Sequence, residues 1–236
     1  MTFSTRRIFA ILQKDYKDLS RNLFVSTTLI MPLLMAVLFG RMGIEGIASH
    51  YLIINLGFIL VGAYVQSSLI AEEKEKNTLR GLMLSPASTL EIFCGKSLLS
   101  FIATAVVVAG SIWLSGYNPR NMAVIAIALV LSAVFYVGLG TLIGLFTKSV
   151  MEASVVIVPI MFIFSSGSFL TPFIEKYPVL AVVEYMPNLQ LLELANRVEA
   201  GAGLGDVMLH LLVILAWVLV IHAVAAYVYK KRMVDE

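Results

Sequence analysis

Residues 121–147 read NMAVIAIALVLSAVFYVGLGTLIGLFT, an unbroken stretch without Asp, Glu, Lys or Arg. A helix needs about 20 apolar residues to cross a bilayer, so this stretch is long enough for one crossing. Its apolar positions do not alternate with period two, which argues against a β-barrel strand. In hydrocarbon a single segment can pair all its own backbone polar groups only as a helix. Five more charge-free runs lie around it, at 22–40, 51–71, 97–119, 153–174 and 207–229. The reading is an all-α integral membrane protein, one transmembrane domain over residues 1–236 with six spans.

The composition agrees. Of 236 residues, 59% are apolar and 14% charged, against about 45–50% and 25% in soluble domains. That balance excludes an ordinary soluble enzyme and a disordered chain. A net charge of +2 is too small to point to nucleic acid. The single cysteine, Cys94, excludes an intramolecular disulfide framework and a cysteine-based metal cluster. The basic leader runs to Arg21 and a full-length span follows, which argues against a cleaved signal peptide. With the N-terminus inside, 13 Lys and Arg fall in inner segments and 4 in outer ones. The positive-inside rule then places both termini in the cytoplasm.

Residues 1–21 precede the first span. Over residues 5–20, Ile8, Ile11, Leu12, Tyr16 and Leu19 share one arc at about 100° per residue, with Arg6, Arg7, Gln13, Lys14, Lys17 and Asp18 opposite. This pattern predicts an amphipathic helix lying in the membrane interface. Between spans five and six, residues 171–206 carry three prolines and many apolar side chains. They are too broken for a seventh span and predict short re-entrant helices buried in protein at the outer side.

The inner loop after span two reads EEKEKNTLRGLMLSPASTLE over residues 72–91. Glu72 and Lys76 are spaced to pair on a helix continuing from the span. Asn77 is expected to cap a short helix over 78–84 whose edge carries Leu79, Leu82 and Met83. Ser85 and Pro86 end it, because proline cannot donate the next backbone bond. Ser88 and Glu91 form a capping box for the helix that enters span three.

At this loop the sequence resembles the type-2 ABC transporter permeases. Glu73, Lys74, Glu75, Thr78, Leu79, Leu82, Ser85 and Pro86 match the family's pattern, with Asn77 where glycine is usual and Arg80 where an acid is common. Residues 166–172, SGSFLTP, then MPNL at 186–189 and Arg197 resemble its outer segment. The resemblance implies a bacterial plasma-membrane exporter of two permease subunits, alike or different, and two separate ATPase subunits that bind ATP and Mg. It also implies that Glu73, Glu75, Thr78, Leu79, Leu82, Met83, Ser85 and Pro86 form the ATPase-coupling element.

No catalytic, cofactor or metal residues are expected in this chain. Gly95-Lys96-Ser97 looks like the end of a phosphate-binding loop, but position 90 is Leu where that motif needs Gly. His50, His210 and His222 are isolated. On span two, Asn55, Gly62, Gln66 and Glu73 fall within about 60° at a uniform helical step, and amides facing lipid are costly. Asn55 and Gln66, with Ser165, Ser166 and Ser168 on span five, are therefore candidates for a translocation path or dimer interface, packing being the plainer role. Gly140 and Gly144 permit a close helix contact, and Pro32 and Pro159 should kink spans one and five. Charge-free spans suit a hydrophobic or amphipathic cargo such as a peptide, antibiotic or lipid-like molecule. The alternatives are a secondary transporter or channel not driven by ATP, and a membrane anchor or assembly factor.

Overall fold

A computed structural model describes residues 4–78, 88–170 and 178–235. Among the described residues every element is helical and none is a strand. The α-helices are α1 (Thr5–Arg21), α2 (Leu23–Thr28), α3 (Ile30–Met42), α4 (Ile47–Gly57), α5 (Gln66–Glu75), α6 (Thr89–Leu114), α7 (Met122–Phe146), α8 (Val150–Leu170), α9 (Pro187–Glu199) and α10 (Leu204–Asp235). A π-helix, Phe58–Val65, joins α4 to α5, and a 3-10 helix, Pro178–Tyr185, precedes α9.

Among the described residues, five helical stretches are long and apolar enough to cross a membrane: Leu23–Met42, Ile47–Glu75, Glu91–Leu114, Met122–Phe146 and Leu204–Lys231. The sequence reading gave six. The difference is α8, whose apolar part among the described residues, Val150–Ser165, is shorter than a span; the expected run continued to residue 174, and 171–174 lie outside the described residues. Span one is interrupted at Leu29, between α2 and α3. Pro32 explains the break: it has no N–H to give the carbonyl of Thr28, four residues back. The α8 helix continues through Pro159.

The continuous helix from Ile47 to Glu75 is the centre of the molecule. From Tyr51 to Ala71 every residue is buried except Leu52, Leu56 and Leu60, which are half-buried along one thin line. Two glycines of α7 allow it to be enclosed. A Cβ added to Gly140 would run into the backbone of Ala63, and one on Gly144 would lie 2.7 Å from Ile70 Cβ and 2.8 Å from the Ser67 carbonyl. The Tyr136 ring stacks on Phe58 at 5.3 Å, nearly parallel.

Glycines alone would leave the interior apolar, but α9 adds a polar seam. Pro187 opens α9 at a position where its missing N–H costs nothing, and Leu191, Leu194, Ala195 and Val198 bury its apolar stripe. The Trp217 indole N–H donates to the Tyr185 carbonyl at 2.7 Å, just before α9. The Gln190 Oε1 meets His210 Nδ1 at 2.7 Å. At the far end of α9, Glu199 accepts from the Tyr117 hydroxyl at 3.2 Å and the Arg120 N–H at 3.3 Å. So α9 runs back along α10 from the level of Trp217 to the α6–α7 turn. Trp217 lies about 20 Å from the start of α10 at 1.5 Å per residue.

Gly140→Val is expected to destabilise the protein by about 1–3 kcal/mol, because the colliding atoms are backbone and cannot rotate away. Gly205→Ala, at a glycine with open space around it, should be neutral or slightly stabilising. Thermal unfolding in detergent micelles checks both.

Candidate functional site

Span two leaves the bundle as a helix, and its last turn sends successive side chains to different neighbours. Glu72 pairs with Lys76 at 2.5 Å along the same helix, the spacing the sequence predicts. Glu73 reaches α1 and α6: its Oε1 is 2.5 Å from Lys14 Nζ and 2.9 Å from Lys96 Nζ. Lys74 donates to the carbonyls of Gly144 at 3.4 Å, Leu145 at 2.8 Å and Thr147. These are the unpaired carbonyls at the end of α7, where a cation is favoured. Glu75 accepts the Val150 N–H at 3.2 Å, at the start of α8. One helical turn thus holds four other helices, α1, α6, α7 and α8.

The Glu73 contacts belong to a buried cluster of charges. Asp15 of α1 and Lys96 of α6 are 1% and 3% exposed, and Glu73 is 3% exposed. Lys96 lies 3.4 Å from Asp15 Oδ1, and Lys14 lies 3.5 Å from the same atom. Lys14 also pairs with the half-buried Asp18 at 3.2 Å, so three carboxylates face two cations, and Lys14 is 42% exposed, so water reaches this corner. Burial pushes the Asp15 carboxyl above its ordinary pKa, and Lys96 and Lys14 pull it part of the way back. Burial works against the charge on Lys14, but Glu73, Asp15 and Asp18 outweigh it and hold its pKa well above the usual lysine value.

Local sequence explains how α1 comes so close. Gly95 sits beside Lys96, and a Cβ there would lie 2.9 Å from Ile11 Cβ. Ile11, Asp15 and Leu19 are the buried face of α1, at the i,i+4 spacing of one side of a helix. The amphipathic arc is therefore corrected on one point: Tyr16, read as part of the apolar face, is exposed, and Asp15 lies in that face. A second contact pins the start of α1. The capping box of α6 is present as the sequence predicts, with Glu91 N–H donating to Ser88 Oγ at 3.3 Å and Ser88 N–H to Glu91 Oε2 at 2.6 Å. The same carboxylate also accepts the Ser4 N–H at 2.5 Å and pairs with Arg7 at 3.3 Å.

Each residue of the Gly95-Lys96-Ser97 triplet thus has a packing role, since Ser97 Oγ lies 3.5 Å from Gln66 Nε2. Gln66 is fully buried. Its carbonyl oxygen accepts from Ser100 at 2.7 Å and its Nε2 donates to Thr141 at 3.0 Å. Asn55 is buried too, with its carbonyl oxygen 3.5 Å from the Tyr136 hydroxyl. Both amides lie inside one subunit's bundle. The π-helix between them breaks the uniform step on which the shared stripe was reckoned. Ser165 on α8 has a buried hydroxyl without a hydrogen-bond partner among the described residues. Ser166 and Ser168 lie on the same helix.

Thr78 follows the turn, its hydroxyl donating to the Glu73 carbonyl at 3.3 Å. The other coupling residues, Leu79, Leu82, Met83, Ser85 and Pro86, lie outside the described residues. Asn77 stands just past the end of α5 with φ +56°, and Thr78 after it is helical; the rest of the short helix expected over 78–84 lies outside the described residues. A left-handed residue just past a helix end is usually Gly and sometimes Asn, so Asn77 is a physically equivalent answer where the family pattern has glycine.

The helices define a multi-pass membrane protein whose span-two exit is tied by polar contacts to α1, α6, α7 and α8. The family of ABC-2 family transporter proteins matches residues 41–227, and the chain belongs to it: it is a type-2 ABC transporter permease. Membership implies association with an ABC ATPase. No curated protein matches the chain. The family match includes Glu73 and Lys96 but begins after α1, so Lys14 and Asp15 are found only through the structure.

Lys96→Met should destabilise the α1 junction by about 3–5 kcal/mol, because it strands a buried carboxylate. Asp15→Leu combined with Lys96→Met should recover much of that loss. A double-mutant cycle on thermal unfolding measures the coupling; additive effects would contradict the cluster.

Proposed function

We propose that this permease is the membrane half of an exporter that moves a hydrophobic or amphipathic substrate, such as a peptide, antibiotic or lipid-like molecule, out of a bacterial cell. Two permease subunits, identical or related, work with two ATPase subunits that hold ATP and Mg. Both termini and the 72–92 segment face the cytoplasm, in keeping with the basic-residue split. The α8 helix serves as span five and completes the set of six, α1 lies along the inner membrane interface, and the 3-10 helix with α9 re-enters from the outer face. The depth at which Tyr185 meets Trp217 supports that last assignment.

The observation that carries the reading is the exit turn of span two, Glu72 to Glu75, with its tethers to α1, α6, α7 and α8. Residues 79–86 follow it directly. A push delivered there by an ATPase reaches a segment already fastened to most of the bundle, and packed, ion-paired elements transmit displacement. Leu79, Leu82 and Met83 form the apolar edge for an ATPase groove, with Ser85 and Pro86 ending it. Each such side chain contributes about 1.5–3 kcal/mol when fully buried. Glu73 is held within the bundle, whereas Glu75 is exposed and can face the partner.

Leu79→Asp and Leu82→Asp are expected to abolish co-purification with the ATPase or to uncouple its hydrolysis from transport in liposomes, while the permease still inserts and folds. Normal docking and coupling in both variants would overturn the assignment.

A further inference from the structure

At the end of the bundle away from α1, two cavities share Trp113 and Tyr117 in their walls. One is a groove of about 440 Å³ between α6 and α7, lined by apolar side chains apart from the Tyr117 hydroxyl. Along α6 it runs from Phe101 to Trp113, about 18 Å at 1.5 Å per residue, and ends at Tyr117 in the turn beyond the helix. Its floor is made by the small exposed residues Ala105, Ala109 and Ala126, and Trp113, 80% exposed, stands at its mouth. Both flanking helices are long and apolar enough to cross a membrane, so the groove opens toward acyl chains. The other cavity is a vestibule of about 840 Å³ that includes Arg41, Glu45 and His50. The His50 ring stacks on Tyr117 at 4.9 Å, with its Nδ1 3.2 Å from Ser115 Oγ, and so fixes the join between the two cavities. Arg41 has no ion pair or hydrogen bond among the described residues.

We propose that these cavities together seat one phospholipid with a zwitterionic headgroup. One acyl chain fills the alanine-floored groove, the phosphate sits on Arg41 and the ammonium on Glu45. A guanidinium is the better phosphate partner because its planar donors match the oxygens. The apolar groove supplies binding free energy by removing the methylenes of a chain from water. A cation and an anion together in the vestibule favour a headgroup carrying both charges over a purely anionic one. The site is independent of substrate and ATPase and needs only that α6 and α7 lie in a bilayer.

Native mass spectrometry of the delipidated protein in detergent tests the site, with phosphatidylethanolamine, phosphatidylglycerol and diacylglycerol added separately. Saturable binding of one phosphatidylethanolamine per subunit is expected, at least fivefold tighter than diacylglycerol. Arg41→Ala should erase that preference. Ala126→Phe, whose new ring projects into the groove and away from the core, should abolish binding. Equal retention of all three lipids, unchanged binding in both variants, or loss of subunit pairing rather than of lipid in Ala126→Phe would overturn the proposal.

Discussion

The α1 end of this molecule depends on a set of charges gathered around one buried site. A carboxylate and an ammonium removed from water lose several kcal/mol of hydration each, and recover it only with good geometry and full partnering. Asp15, Lys96 and Glu73 each touch a counter-charge within 3.5 Å, and Lys14 adds a second cation at the wet edge, while Glu73 Oε2 is buried without a hydrogen-bond partner among the described residues. The cost of breaking the set is what fixes α1. An amphipathic helix held only by Ile11 and Leu19 could slide along the bundle, since apolar contact is non-directional. The ion pairs give it one register.

The same end is joined to the transmembrane interior by an unbroken helix. Span two carries the charged turn at its exit and the Gln66 network within, with the π-helix and the Gly140 and Gly144 contacts above. Close helix approach needs glycine where backbones meet, and a buried amide needs partners or it destabilises the fold. The glycine contacts face α7, and the Gln66 amide finds its partners on α6 and α7. A displacement at Glu75 therefore meets packed backbone on one side and ion-paired helices on the other.

Much of this was legible in the sequence. The charge-free runs located the spans, Ser88 and Glu91 announced their cap, and Glu72 with Lys76 declared the extension of span two. Three features were missed for physical reasons. Reckoning spans by absence of charge began span three at residue 97, whereas the stretch long and apolar enough to cross begins at Glu91 and includes the buried, partnered Lys96. The uniform helical step failed across Phe58–Val65, since nothing local in those residues declares a π turn that α7 glycines make room for. Asp15 did leave a signal: it sits four residues from both Ile11 and Leu19, an acid in the middle of an apolar face. Such a residue is either an error of reading or half of a buried pair, and Lys96, the only cation in the helical part of span three, was its available partner.

The central claim is that the exit turn of span two clamps several helices as one body. Hydrogen exchange on the permease in nanodiscs, comparing wild type with Glu73→Gln, tests it most directly. The account expects amide protection to fall together in α1, the first turns of α6 and the last turn of α5. Protection lost only in the immediate neighbours of residue 73, with α1 unchanged, would contradict it.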